Sequence, residues 1–399
     1  MGPRNEWGGK AALFVVRQYD KALEAHCTGT SALFHLKKSH MSRFYNIDVN
    51  CYIGLFVMYF QLLMRLFLEK SAGIRVAECL GGNYRGNLVR LQQTIASTVS
   101  CSGVGLHSGQ SVTLTFRPAP VDTGVVFVNR NGKAGASLTA SIKHLVPTEL
   151  CTAISGNGFQ VKTIEHVLAA LAGLDIDNLY VELDAGEAPV MDGSAAPFVR
   201  LIQSAGIVSQ NRRQSYLKIT QPIEVVDDTR RVRIEPSATP RITYSIQYDH
   251  PLIQTQTYVY EHSVLAFERE IADARTFGFL NEVEALWARG LGRGGNLENT
   301  VVLSHDGILN ESGLRFTNEF VRHKVLDLIG DFSLLGVPFI GHVVADRSGH
   351  AMHTRLVEQI LDHPEKWVLL NGPDSAATSE PVPALAALRP ASLIALQAS

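Results

Sequence analysis

Val321, Val325, Leu328 and Phe332 recur at helical spacing and predict a helix over 320–332 with one apolar stripe. On another face of that helix His323, Asp327 and Asp331 recur every fourth residue, so an imidazole and two carboxylates stack along it. Two readings fit: a solvated polar face with an incidental His–Asp pair, or metal ligands paired at i, i+4. An echo lies upstream. Glu165-His166-Val167-Leu168-Ala169-Ala170-Leu171-Ala172-Gly173 aligns without gaps on Arg322-His323-Lys324-Val325-Leu326-Asp327-Leu328-Ile329-Gly330, with histidine, leucine and glycine coinciding. This predicts a duplicated α+β unit whose two helices face each other, each contributing a histidine.

Elsewhere the pattern alternates as strands do. A strand-like run at 94–99 leads into the glycine-rich turn 103–109. Further strands are expected at 112–116, near 152–154, and at 179–183, 216–219, 231–234, 241–248, 300–303 and 339–345. Thr163 is expected to cap a helix over 164–172 that stops at Gly173, and a second helix runs from Pro197 towards Ala205. The turn 346–350 carries His350, the polar segment 211–215 reads as a linker between two domains, and 290–295 is rich in glycine. The turn 103–109 lacks the G-x-G-x-x-G spacing and the following helix of a dinucleotide site.

Residues 1–90 differ in texture. The stretch 52–68 is apolar but interrupted by Gln61 and Arg65, short of the about 20 apolar residues of a membrane helix. It reads as a borderline span, a packed accessory helix, or upstream sequence joined by a displaced start, and the last is the expectation adopted. The tail 371–399, rich in Pro, Ala and Ser, is expected to be disordered. Charge is balanced, 36 Lys and Arg against 38 Asp and Glu, with no basic block for nucleic acid. Five scattered cysteines without C-x-x-C spacing oppose a disulfide framework and favour a reducing, cytoplasmic setting. No obligatory protein partner is expected.

A catalytic zinc takes three N or O ligands and keeps one position for water. His166, His323 and Asp327 satisfy that count. Glu165, beside one of them, is placed as a base for the water, or else is a carboxylate favoured by the helix dipole. His350 can protonate a departing amine with Asp331 holding its charge, and His353 is the rival. Thr276 can donate to an oxyanion, and Lys324 and Arg347 can supply charge for a phosphate-bearing substrate.

Six motifs occur in order: Gly103-Val104-Gly105-Leu106-His107, Thr163-Ile164-Glu165-His166, Met191-Asp192-Gly193-Ser194-Ala195-Ala196-Pro197-Phe198, Ala274-Arg275-Thr276-Phe277-Gly278, Val321-Arg322-His323-Lys324 with Asp327 and Asp331, and Ser348-Gly349-His350. Together, over residues 92–370, they resemble the UDP-3-O-acyl-N-acetylglucosamine deacetylases, zinc amidases of lipid A biosynthesis in Gram-negative bacteria. The resemblance implies an α+β fold of two similar domains, 91–210 and 216–370, each a β-sheet layered against helices, with the active site between them. It implies zinc on His166, His323 and Asp327, Glu165 as general base, His350 as general acid with Asp331 as its partner, and Thr276 as oxyanion donor. Lys324 and Phe277 would bind substrate, Tyr248 would pack on the uracil ring, and the insert 278–310 would form the acyl-chain passage. Arg347 stands where some members carry lysine. The implied substrate is an acylated UDP-amino sugar, with the enzyme working near a membrane surface. A zinc amidase for another N-acetylated sugar nucleotide and a non-catalytic binding relative are the alternatives.

Every motif lies downstream of Gly86, so a chain beginning near Leu88 is expected to fold, bind zinc and turn over normally. Loss of solubility or activity in that truncation would give 52–68 a part in the working protein.

Overall fold

The computed structural model describes residues 90–131 and 136–370. The apolar stretch 52–68, the displaced-start expectation and the tail 371–399 lie outside the described residues. The first half runs β1 (Leu91–Ile95), β2 (Val99–Val104), β3 (Ser111–Pro118), β4 (Val125–Asn129), β5 (Ser137–Thr139), β6 (Leu145–Val146), β7 (Ala153–Gly156) and β8 (Phe159–Lys162). Helix α1 (Glu165–Gly173), β9 (Leu179–Leu183), α2 (Ala196–Ala205) and β10 (Ile207–Arg213) complete it. The second half runs β11 (Tyr216–Ile219), β12 (Ile223–Asp227), β13 (Arg230–Glu235), β14 (Arg241–Tyr248), β15 (Gln254–Glu261), β16 (Phe277–Phe279), α3 (Val283–Ala288) and β17 (Val301–Leu303). It ends with α4 (Glu319–Phe332), β18 (Phe339–Ile340), β19 (His342–Asp346), α5 (His350–Asp362) and β20 (Trp367–Leu370).

The fold mixes α and β, with strands outnumbering helices. Its two largest sheets have the same order: β2-β3-β9-β4-β5 in the first half and β12-β13-β19-β14-β15 in the second. Pairing agrees too. β9 is antiparallel to β3 and parallel to β4, as β19 is to β13 and β14. In each half a helix precedes the late central strand and another follows it. Each half also carries extra strands just before that first helix, β6-β7-β8 in one and β16–β17 in the other. The short echo between 165–173 and 322–330 therefore sits at equivalent places in a repeated order of elements.

Alternation accounts for the sheets. In β14 Ile242, Tyr244 and Ile246 are buried and the residues between them less so, so one face meets the core. Helices α4 and α5 cover the second sheet, α4 on β14 and β15, α5 on β12 and β13. Helix α1 is buried nearly all round, as its run Val167-Leu168-Ala169-Ala170-Leu171 requires, and packs on α4. Buried side chains of both halves join one continuous core.

Three boundaries differ from the sequence expectation. The run 94–99 is broken: β1 and β2 are separate strands, and β1 pairs with β10 away from the large sheet. The polar segment 211–215 is no free linker, because β10 continues to Arg213. Its side chains are mostly exposed, which hid the strand from a hydrophobicity pattern. The run 339–345 divides at Gly341 into β18, parallel to β11, and β19, central in the large sheet.

The α1–α4 crossing is close. A Cβ on Gly330 would stand 2.1 Å from the Glu165 carbonyl oxygen, so only glycine admits the approach. Gly330→Ala is expected to destabilise the protein by about 1–3 kcal/mol, the usual range for overpacking, read from denaturant melts. An unchanged midpoint would mean that the helices separate freely.

Candidate active site

Where α1 crosses α4, His166 meets His323 edge to face, their ring centroids 5.0 Å apart. Asp327, one turn after His323, completes the group: its Oδ1 lies 3.4 Å from His323 Nε2 and 3.7 Å from His166 Nε2. One donor atom from each residue falls within 4.8 Å of the other two. A tetrahedral ion bonded at about 2.0–2.2 Å spaces its ligand atoms by roughly 3.3–3.6 Å, so the donor set fits such a metal. His323 Nδ1 donates to the Ala274 carbonyl at 3.1 Å, leaving the Nε2 lone pair free for the group. Asp327 Oδ2 accepts from Lys324 Nζ at 2.5 Å, leaving Oδ1 free. His166 Nδ1 is buried without a hydrogen-bond partner among the described residues, so nothing equivalent to the Ala274 carbonyl orients that ring.

Charge states suit metal ligation. Burial lowers the His323 pKa to about 4 against the pull of Asp327, so the ring is neutral. Burial acts upward on Asp327, but with His323 neutral it is the Lys324 ammonium, with His350 behind it, that outweighs burial and holds the carboxyl well below its usual range. Lys324 is held charged: burial works against its proton, and Asp327 overcomes that.

Glu165 opens α1, and its Oε2 accepts from the Thr152 amide at 2.9 Å. Burial, the largest influence, raises its pKa against the opposing pull of His350 and His166. Thr163 does not cap this helix. Its φ is +55°, unusual for a β-branched residue, and its hydroxyl donates to Glu187 Oε1 at 2.8 Å. Glu187 also accepts from the amides of His107 and Ser108, both at 2.8 Å, which ties the turn 103–109 to the start of α1. The segment 290–295 closes over the same turn, and a Cβ on Gly294 would stand 2.2 Å from the Gly105 carbonyl. The two glycine-rich stretches are thus packing partners.

His350 opens α5 and is not on a free turn; Arg347 just before it has φ +51°. Asp331, fully buried, accepts from three donors: Thr152 Oγ1 at 2.5 Å, His350 Nδ1 at 2.8 Å and His353 Nδ1 at 2.8 Å. His353 is buried and helical. Burial lowers its pKa against Asp331, so the ring is neutral and its Nε2 can accept from Ser348 Oγ at 2.9 Å. With both nitrogens engaged, His353 has no proton to deliver to a ligand. Burial also works against the His350 proton, but Asp331, Asp327 and Glu165 outweigh it and raise its pKa to about 9. For Asp331 burial acts upward, and His350 and His353 bring the pKa down to about 2.

The remaining candidates divide. Phe277 reaches the cluster, its ring 6.4 Å from His323, and Tyr248 meets Phe277 edge to face at 5.8 Å. Thr276 is half-buried beside Phe277, with its amide donating to the Gly193 carbonyl at 2.8 Å. Arg275 and Glu319 hold that segment: Arg275 Nε lies 2.8 Å from Glu319 Oε1, both buried. Arg347 is directed elsewhere, to the Thr229 carbonyl and the Asp346 carboxylate. Thr152, Glu187 and the Arg275–Glu319 pair escaped the sequence reading, since most of their contacts join residues 24 or more apart along the chain.

A family model described as UDP-3-O-acyl N-acetylglycosamine deacetylase matches residues 92–362. The chain belongs to this family. Relatives named UDP-3-O-acyl-N-acetylglucosamine deacetylase agree. That of Syntrophotalea carbinolica is 46% identical over 286 residues, 72% of this chain and 93% of the relative. That of Myxococcus xanthus is 48% identical over 279 residues, covering 70% and 89%. That of Acidithiobacillus ferrooxidans is 46% identical over 278 residues, covering 69% and 91%. The region shared with this deacetylase family contains both clusters described above.

The folded protein holds the His350 proton more tightly than the unfolded chain does. The stability this contributes is complete below the ordinary histidine value of 6.5 and is lost as pH rises through about 9. In metal-free protein, Asp331→Asn should lower the His350 pKa by removing the anion beside it, read by NMR titration. An unmoved His350 titration would assign its proton to other charges.

Proposed function

We propose that this chain hydrolyses the N-acetyl group of a UDP-3-O-acyl-N-acetylglucosamine in lipid A biosynthesis, releasing acetate and leaving the free amine. The carrying observation is the juxtaposition of two clusters: a ligand set of two histidines and a carboxylate, and a carboxylate-held imidazolium, with Glu165 between them. Zinc on His166, His323 and Asp327 would polarise the amide carbonyl and lower the pKa of a bound water to about 7.

Glu165, in its ionised form, accepts the proton of the attacking water, and its raised pKa brings it toward the working range of a general base. His350, protonated through Asp331, gives its proton to the departing amine nitrogen. Thr276 offers a hydroxyl to the developing oxyanion. Lys324, Phe277 and Tyr248 bind the sugar nucleotide, whereas Arg347, turned to Thr229 and Asp346, takes no part in it. The insert 278–310 contains α3, which buries no residue and exposes Trp287; that apolar surface suits an acyl chain. The repeated sheet order supports two similar domains, 91–210 and 216–370, with the site between them. No helix among the described residues is long and apolar enough to cross a membrane. The enzyme would be cytoplasmic and meet its acylated substrate near a membrane surface.

His166→Ala or His323→Ala is expected to lose most bound zinc and, in parallel, acetate release from the UDP substrate. Glu165→Ala should keep the zinc and lose about 10²–10⁴-fold in turnover, the usual range for a general base. A histidine variant with full zinc and normal turnover would sink the ligand assignment. Zinc loss in Glu165→Ala would mean that Glu165 is a ligand.

A further inference from the structure

We infer that Thr152 is a positioning residue that sets the base and the acid of this site against one another; the inference rests on the reading under Proposed function. Thr152 lies between β6 and β7, in the extra strands of the first half, and is 1% exposed. It touches both proton-handling groups. Its amide donates to Glu165 Oε2 at 2.9 Å, and its hydroxyl donates to Asp331 Oδ1 at 2.5 Å. The hydroxyl oxygen also stands 3.3 Å from His350 Nδ1, whose hydrogen is directed at Asp331 Oδ2. Its carbonyl accepts from the Ile164 amide at 3.3 Å, which straps the residue to the start of α1.

This arrangement fixes geometry across the two halves. Glu165 belongs to α1, whereas Asp331 and His350 belong to α4 and α5. The carboxylate of Asp331 can rotate about its own side chain unless both oxygens are held. The histidines occupy Oδ2, and among the described residues Oδ1 has only the Thr152 hydroxyl as a hydrogen-bonding partner. Removing that hydroxyl leaves a buried carboxylate oxygen without a donor and frees the carboxylate to turn, carrying the imidazole with it. Valine keeps the shape and loses the hydroxyl; serine keeps the hydroxyl and loses a methyl.

The test uses the full-length zinc enzyme, after the parent has been shown to release acetate from the UDP substrate. A parent without that activity overturns the functional reading and, with it, the inference built on it. In an active parent, Thr152→Val should lower kcat about tenfold or more, with KM and zinc content unchanged, as loss of a hydrogen bond to a charged group implies. Thr152→Ser should recover most of the loss. In an Asp331→Asn background, Thr152→Val should cost little further, because the two act through one another. Unchanged kcat in Thr152→Val, equal losses in the valine and serine variants, or full additivity with Asp331→Asn would each overturn the inference. Should the valine variant fail to fold, serine at parental kcat still upholds the hydroxyl, and serine with the loss expected of valine overturns it.

Discussion

The site depends on the close crossing of α1 and α4 at Gly330. Because residue 330 has no side chain, the backbone of Glu165 occupies the space where one would lie. That contact brings the first turn of α1 beside the last turns of α4. His166 then faces His323 and Asp327 from the opposite helix, and Glu165 falls near His350 and Asp331. A larger residue at 330 would separate the helices and open both clusters together. The ligand set and the proton-transfer groups are therefore placed by one packing decision.

Charge is the second constraint. Asp327 and Asp331 lie one helical turn apart, with Glu165 close to both, and such buried carboxylates need compensation. Lys324 answers Asp327 and the protonated His350 answers Asp331. Glu165 shares the His350 charge with Asp331, which does not offset its burial, and the two aspartates push its pKa further up. A divalent cation on His166, His323 and Asp327 would supply the missing charge beside it. The cluster is thus electrostatically incomplete in a way that a dication corrects.

How much of this was legible followed from range. Contacts at i, i+4, such as His323 with Asp327, were read directly, and the 165–173 and 322–330 echo anticipated the facing helices. The strands 179–183 and 241–248 were clear because each alternates against a core. The strand 207–213 was hidden because exposed polar residues carry no period. Helix α5 is masked because Ser348-Gly349 signals a turn directly ahead of His350, where the thirteen-residue helix begins. Thr152 could not be found at all: its hydroxyl meets Asp331 from 179 residues away, and a lone threonine between Cys151 and Ala153 has no pattern.

The same reasoning explains why the segment 274–279 sits where it does. Glu319, at the first turn of α4, accepts from the Arg275 amide and guanidinium and from the Arg315 amide. Arg315 in turn reaches Asp192 at 3.0 Å, in the Met191-Asp192-Gly193-Ser194 turn. Ala274 then points its carbonyl at His323, and Thr276 and Phe277 follow along the wall of the site. A charged pair buried this deeply adds little net stability once its desolvation is counted. Its geometry is what matters here, because bidentate contacts fix direction as well as distance. Two motifs that look unrelated along the chain, at 191–198 and 274–278, are therefore one scaffold, and its output is the orientation of the His323 ring.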